Sequence, residues 1–185
     1  MVRLSKFDKK DIEFFYYEVF SDYNDVALWS NPVTINTIEE CDRYLTYNFN
    51  NTYADFFMIR DEEGNTLGFV YSYNYVSFNG NLSIATYISK KYRNCGAGAK
   101  ATILFVDFLF KKYPLIKVYS PVFSYNLNSI FNHEKSGFVK EAVLKKCKYF
   151  DGEYHDLIYY SMDRECFYEK CGKILQRLYN GMRDI

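Results

Sequence analysis

The segment that most restricts the fold runs from Leu82 to Tyr113. It reads "LSIATYIS", a strand pattern, then "RNCGAGAK", then the strongly apolar helix pattern "AKATILFVDFLFKKY", ended by Pro114. The middle stretch packs two glycines and two alanines between Arg93 and Lys100. A helix start leaves backbone N–H groups unpaired and carries positive partial charge. Glycine lets a backbone approach a phosphate with no Cβ in the way, and Arg93 adds a forked cation. The stretch is not a dinucleotide fingerprint, which needs G-x-G-x-x-G and a later acidic residue. It is not a Walker loop either, since Ala101 follows Lys100. On local chemistry alone, a plain strand-to-helix turn and a pyrophosphate cradle both fit.

The elements around this junction set its context. "MVRLSKF" alternates as a first strand. "DKKDIEFFYYEVFS" puts Ile12, Phe15, Tyr16 and Val19 on one helical stripe with Asp8 as N-cap. Thr37 and Glu40 have capping-box spacing and open a second helix. "ADFFMIRD", "TLGFVYSYNYVSF" and "LSIATYIS" form a meander turned at "EEGN" and "NGN". "IKVYSPV" is a strand, "NLNSIFNHEKSG" a short helix stopped by Gly137, and a second hairpin turns at Asp151-Gly152. A last helix follows, interrupted or weakened at Gly172. The expected fold is α+β, one mixed sheet with helices on both faces.

The chain has 185 residues, as one domain would, and 49% hydrophobic residues supply a core. Basic and acidic residues both total 23, so nothing global favours nucleic acid or an anionic membrane as partner. An aromatic content of 21% reads as strand-rich packing and biased composition. Cys41, Cys95, Cys147, Cys166 and Cys171 are scattered, and two histidines cannot stock a Cys/His zinc site, so no metal is expected. "MVRLSKFDKKDIEFF" has no apolar h-region and no stretch approaches a membrane span, which gives cytoplasmic as the expected location.

Arg93-Asn94-Cys95-Gly96-Ala97-Gly98 resembles the Q/R-x-x-G-x-G/A acetyl-CoA motif of the GNAT acetyltransferase superfamily. Downstream, Asn126, Ser129, Glu134, Lys135, Gly137 and Phe138 in "NLNSIFNHEKSGF" resemble its N-x-x-S/A…E-K-x-G-F segment. The likeness covers roughly residues 1–162 and is greatest to the ribosomal-protein N-terminal and polyamine acetyltransferase branch. It implies a mostly antiparallel sheet of about seven strands, splayed between the fourth and fifth, with a domain over 1–162 and a packed C-terminal helical extension over 163–185. It also implies acetyl-CoA as cosubstrate and a small-molecule or peptide amine as acceptor. Amides from Asn94 through Cys95, Gly96, Ala97 and Gly98 to Ala99 would hold the pyrophosphate. The strand at Tyr87, Ile88 and Ser89 would pair with the pantetheine arm as an added strand. Asn126, with Ser129 beside it, would reach the pantetheine or acetyl region.

Two positions depart from the family pattern. The leaving-group acid is often a Tyr seven residues after the Asn; here that position is His133, read either as a proton donor or as an exposed helix residue. The usual Glu base position is Ser83, which cannot act as a base. Without a base, deprotonating an amine of pKa about 10.4 at pH 7 costs about 4.6 kcal/mol, against about 1 kcal/mol near pKa 7.8. An acceptor of low pKa follows: an amino sugar, an aminonucleotide sugar or a peptide N-terminus. Asp55, Asp151 and Asp156 read as turn or strand-end residues. Asp22, Asp25, Glu39 and Glu40 read either as a lure for a cationic amine or as solvated helix ends. Cys95, at a helix start, is a candidate for alkylation. A non-catalytic acyl-CoA-binding module is the competing class, and the C-terminal helix is a candidate dimer or substrate-lid element of a homodimer.

Overall fold

The structure is a computed structural model that describes residues 1–183. Among the described residues one sheet contains β1 (Arg3–Ser5), β2 (Tyr53–Arg60), β3 (Thr66–Val76), β4 (Asn81–Ile88), β5 (Lys117–Phe123), β6 (Val139–Phe150) and β7 (Glu153–Asp163), in the order β1-β2-β3-β4-β5-β7-β6. Every neighbouring pair is antiparallel except β4–β5. That parallel pair is short: only Asn81, Leu82 and Ser83 face Lys117, Val118 and Tyr119. Beyond Ser83 the two strands part, which is the expected splay.

Helices cover both faces. On one, the π-turn after α1 (Asp11–Phe14) and α3 (Ile38–Asn51) bring Phe15, Val19, Cys41 and Leu45 onto Met58, Phe69, Tyr71 and Tyr87. On the other, α4 (Ala97–Lys112) and α6 (Arg164–Arg183) set Ala101, Phe105, Leu109, Phe167, Cys171 and Leu175 against Ile59, Val70, Leu82, Ile84 and Val118. The short α2 (Tyr23–Ala27) follows α1, and α5 (Leu127–Lys135) lies over a smaller cluster of Val122, Ile158 and Tyr160. The abundant aromatics are packing material: Phe15, Phe56, Phe69 and Tyr71 form one ring network.

Turn chemistry explains most boundaries. Asp151 and Gly152 both have positive φ (51° and 84°), as a two-residue type I′ hairpin requires. α5 ends in a Schellman motif, with the Phe138 N–H on the His133 carbonyl (3.0 Å), the Gly137 N–H on Glu134 (3.2 Å) and Gly137 at φ 81°. Thr37 caps α3 by accepting the Glu40 N–H at 3.2 Å. The Glu40 carboxylate reaches back to the Asn36 N–H at 2.8 Å, one residue earlier than a standard capping box.

Two expectations are corrected. Asp8 is not the cap of α1, which begins one turn later. Its carboxylate accepts the Lys10 N–H instead, and its own N–H donates to the Asp11 carboxylate at 2.8 Å. The helix then widens to a π-turn over Phe15–Val19, which drives Phe15 and Val19 inward. Gly172 does not interrupt the last helix. A glycine costs a helix about 1 kcal/mol, whereas burying Phe167 and Leu175 returns roughly 1.5–3 kcal/mol each.

Candidate functional site

The site is built where β4 leaves β5 and turns into α4. Asn94 (φ 63°) and Gly96 (φ 78°) are both left-handed, and Gly96 is the N-cap of α4 with no side chain to satisfy the first helical amides. A Cβ at Gly96 would meet nothing within 4 Å, so its backbone faces open space. Gly98 serves packing instead. A Cβ there would come within 3.2 Å of Ile88 Cγ1, so this glycine lets α4 press onto β4. Ala97 is buried, while Asn94, Cys95, Gly96 and Ala99 are more open to solvent. A row of bare amides at a solvated helix start suits a pyrophosphate.

Arg93 does not reach toward that opening. Its Nη2 donates to both Asp25 oxygens (2.6 and 2.8 Å) and its Nε to the Ile88 carbonyl (2.9 Å). The Asp25 side chain, 1% exposed, also accepts the Tyr87 hydroxyl at 2.9 Å. Burial, and then Asp25, push the Tyr87 phenol well above its ordinary pKa. Arg93 therefore seats the loop, with its charge neutralised by Asp25. Three of the four acidic residues are engaged within the fold: Asp22 caps α2 and pairs with Lys90, Asp25 is buried on Arg93, and the Glu40 carboxylate accepts the Asn36 N–H.

The backbone alternation of β4 corrects the expectation that Tyr87 and Ser89 as well as Ile88 offer their backbone to an added strand. The Ser89 N–H donates to the Leu67 carbonyl (2.9 Å) while Ile88 stands opposite Gly68. In an antiparallel ladder this turns the backbone groups of Tyr87 and Ser89 toward β3, and those of Thr86 and Ile88 toward the gap. Since Arg93 occupies the Ile88 carbonyl, the Ile88 N–H and both groups of Thr86 are those left facing the gap. The side chain of Ser89 is committed to Glu18 at 2.9 Å.

Asn126 caps α5 by accepting the Ser129 N–H (3.1 Å), and its Nδ2 donates to the Leu28 carbonyl (3.0 Å). Beside it the Tyr125 hydroxyl donates to the Ala27 carbonyl at 2.5 Å. Residues 25–28 thus form a strap across the split sheet, tied to β4 through Asp25 and to the end of β5 through Tyr125 and Asn126. The Asn126 amide thus ties α5 to the strap, and one of its two Nδ2 N–H donors has no protein partner among the described residues.

His133 is neither exposed nor free. Its Nδ1 lies 2.7 Å from the Ser129 carbonyl, which can only accept, so Nδ1 carries the proton. Its Nε2 lies 2.7 Å from Ser120 Oγ, and the ring stacks on Tyr160 at 5.1 Å. Burial lowers its pKa below the ordinary 6.5, which leaves the ring neutral with Nε2 accepting from Ser120. A neutral ring in this tautomer keeps its single proton on Nδ1, turned to the Ser129 carbonyl.

Ser83 is buried beside Tyr73 on the α1/α3 face, and burial raises the Tyr73 phenol to about 12. Asp55, Asp151 and Asp156 are engaged elsewhere. Asp55 pairs with Lys112 (2.5 Å) and Tyr113 (2.8 Å), Asp156 pairs with Lys145 (2.8 Å), and Asp151 lies in the I′ turn. Among the described residues no group of His, Cys, Asp and Glu is arranged to hold a metal ion. No described helix is long and apolar enough to cross a membrane. The sequence does not disclose the roles of Asp25 and Ser120, because each acts through a partner distant in the chain and neither carries a local signal.

A sheet parted between a parallel strand pair, with an uncapped glycine-rich helix start at its mouth, is the architecture the family resemblance implied. The acetyltransferase (GNAT) domain family matches residues 2–139, and the chain belongs to that family. It is 31% identical over 111 residues to the SPbeta prophage-derived uncharacterized N-acetyltransferase YokL of Bacillus subtilis (strain 168). That match takes in 60% of this chain and 63% of the relative, so the chain spans less than two thirds of the relative's length. Among solved structures it resembles a spermidine N-acetyltransferase from Vibrio cholerae in complex with CoA and spermine (TM-score 0.80, 18% identity, 90% of this chain and 97% of the other). It also resembles a GNAT-family acetyltransferase from Bacillus anthracis (TM-score 0.74, 24% identity, 89% and 95%).

Proposed function

We propose that the protein is an N-acetyltransferase that moves an acetyl group from acetyl-CoA to a primary amine. The observation that carries this reading is the parting of β4 and β5 directly beside the uncapped start of α4. The amides from Asn94 to Ala99 hold the pyrophosphate, and Thr86 and Ile88 pair with the pantetheine arm. The thioester then lies in the gap. The amine nitrogen attacks the thioester carbonyl, the C–N bond forms, the C–S bond breaks, and the coenzyme thiolate takes a proton. Ser120 gives its one hydroxyl proton to His133 Nε2, so the proton the thiolate takes is the one the attacking amine loses.

No carboxylate stands at Ser83, so the acceptor amine arrives largely unprotonated, which favours a low-pKa amine such as an amino sugar or a peptide N-terminus. The similar structure that holds spermine is an argument for polyamines, and both classes belong in the test. The chain is incubated with acetyl-CoA and a panel of amino sugars, peptides and polyamines, and free thiol is followed. Amine-dependent thiol release supports the transferase. Coenzyme binding with no release from any amine favours the binding module.

A further inference from the structure

The cation at Lys148 on β6 has no part in the chemistry of the gap. The residue is 8% exposed, yet its ammonium forms no ion pair with a carboxylate among the described residues. Its Nζ donates to Asn31 Oδ1 at 2.5 Å and stands over the Phe123 ring at 5.0 Å from its centroid. Those contacts leave two of its three ammonium donors with no protein partner among the described residues. Burial lowers its pKa. Asp156, next to the His155 that pairs with Lys148 across the hairpin, is already held by Lys145 and by the Lys146 N–H. A buried ammonium with one neutral acceptor is a costly arrangement that a bound anion relieves.

The position of this cation relates it to the gap. Asn31 continues the strap that Tyr125 and Asn126 fasten over the split sheet. Phe123 ends β5, and by strand alternation Phe123, Pro121 and Tyr119 share one face. Tyr119 stands at the last paired position before β4 and β5 part. From Tyr119 to Phe123 is four residues, roughly 13 Å of strand. An anion at Lys148 therefore lies within about that distance of an amine in the gap.

We infer that Lys148 and the Asn31 side-chain amide form an anion subsite for the acceptor, which is an amine that also carries a carboxylate or phosphate. The inference rests on the transferase reading and narrows it: the preferred acceptor is amphoteric, not a polycation. Asn31 Oδ1 accepts from Lys148, which leaves its amide N–H groups to join the ammonium on the anionic oxygens.

The test measures kcat/KM by thiol release for matched acceptors: peptides with free or amidated C-termini, amino sugars with and without a phosphate, and spermidine. The wild type should favour the anionic member of at least one pair by about tenfold or more, and the carboxylate and phosphate arms separate the two sources. Lys148→Met should erase that preference while leaving the neutral twin unchanged and the melting temperature equal or higher. Asn31→Asp, which supplies an internal counter-ion, should raise the melting temperature and also erase the preference. Equal rates for both members of every pair, or a preference that survives Lys148→Met, overturn the subsite while amine turnover keeps the transferase reading intact. A lower melting temperature in Lys148→Met with selectivity unchanged assigns Lys148 a structural role and overturns it too. Absence of turnover with every amine removes the transferase reading, and the subsite with it.

Discussion

Asp25 and Arg93, 68 residues apart in the chain, meet in a bidentate ion pair of 2.6 and 2.8 Å, and the carboxylate is almost wholly buried. Through it the strap containing α2 and the loop before α4 are one unit. Asp25→Asn keeps the shape and removes the charge. Because Arg93 is 30% exposed, water recovers part of the loss, and about 2 kcal/mol of destabilisation follows. For a chain of this size that is a fall of roughly 4–8 °C in melting temperature. Arg93→Ala leaves the carboxylate buried without its cation and costs more, about 3 kcal/mol. Lys90→Ala, which removes an exposed partner of Asp22, should leave the melting temperature unchanged. Thermal unfolding of the three variants checks the order.

The two glycines of the loop should fail differently. Gly96→Ala forces a Cβ into left-handed backbone, a cost of roughly 1–2 kcal/mol, with nothing to clash against. Gly98→Val crowds Ile88 and lifts α4 from β4, an overpacking of about 1–3 kcal/mol. Coenzyme affinity, measured by calorimetric titration, should fall in both. In Gly98→Val a change in near-ultraviolet dichroism, from shifted core aromatics, should accompany it.

His133 gives a pH signature with a definite sign. Burial depresses its pKa in the folded chain relative to the ordinary 6.5. Its neutral form is therefore favoured by folding, and the stabilisation is complete above pH 6.5 and lost as pH falls below it toward the folded value. Between pH 7.5 and 5.5 the wild type should lose more stability than His133→Gln, as read from denaturant midpoints. Equal losses would contradict a buried neutral ring.

Cys95 lies inside the loop, exposed, with its thiol on the Tyr92 carbonyl at 2.9 Å. In a Cys147→Ser background, which removes the other exposed thiol, alkylation of Cys95 should slow on adding coenzyme A and stay unchanged on adding pantetheine, which lacks the pyrophosphate. Mass spectrometry of the labelled peptide reads the rate.

The strand, loop and helix around residues 82–113 are legible in the sequence because period, small residues and apolar length agree at one place. The I′ turn at Asp151-Gly152 and the stop at Gly137 are legible for the same reason, since left-handed backbone selects its residues locally. Arg93 is readable as a loop residue, but its partner is not. A buried carboxylate reads like any other acid until the fold brings its cation to it. His133 shows the same limit, because the tautomer that decides its chemistry depends on Ser120 in another strand. The π-turn at Phe15–Val19 is invisible for a further reason: a single wide turn barely alters the periodicity of apolar residues.

Binding of the coenzyme A pyrophosphate at the start of α4 underlies every step of the proposed reaction. Thermal unfolding with and without acetyl-CoA tests it most directly. At 100 times Kd the ligand stabilises by about 2.7 kcal/mol, which raises the melting temperature by roughly 5–11 °C. Gly96→Asp, which sets a carboxylate among those amides, should abolish most of that rise at the same ligand concentration. No shift in the wild type, or an equal shift in Gly96→Asp, would contradict the assignment of this loop.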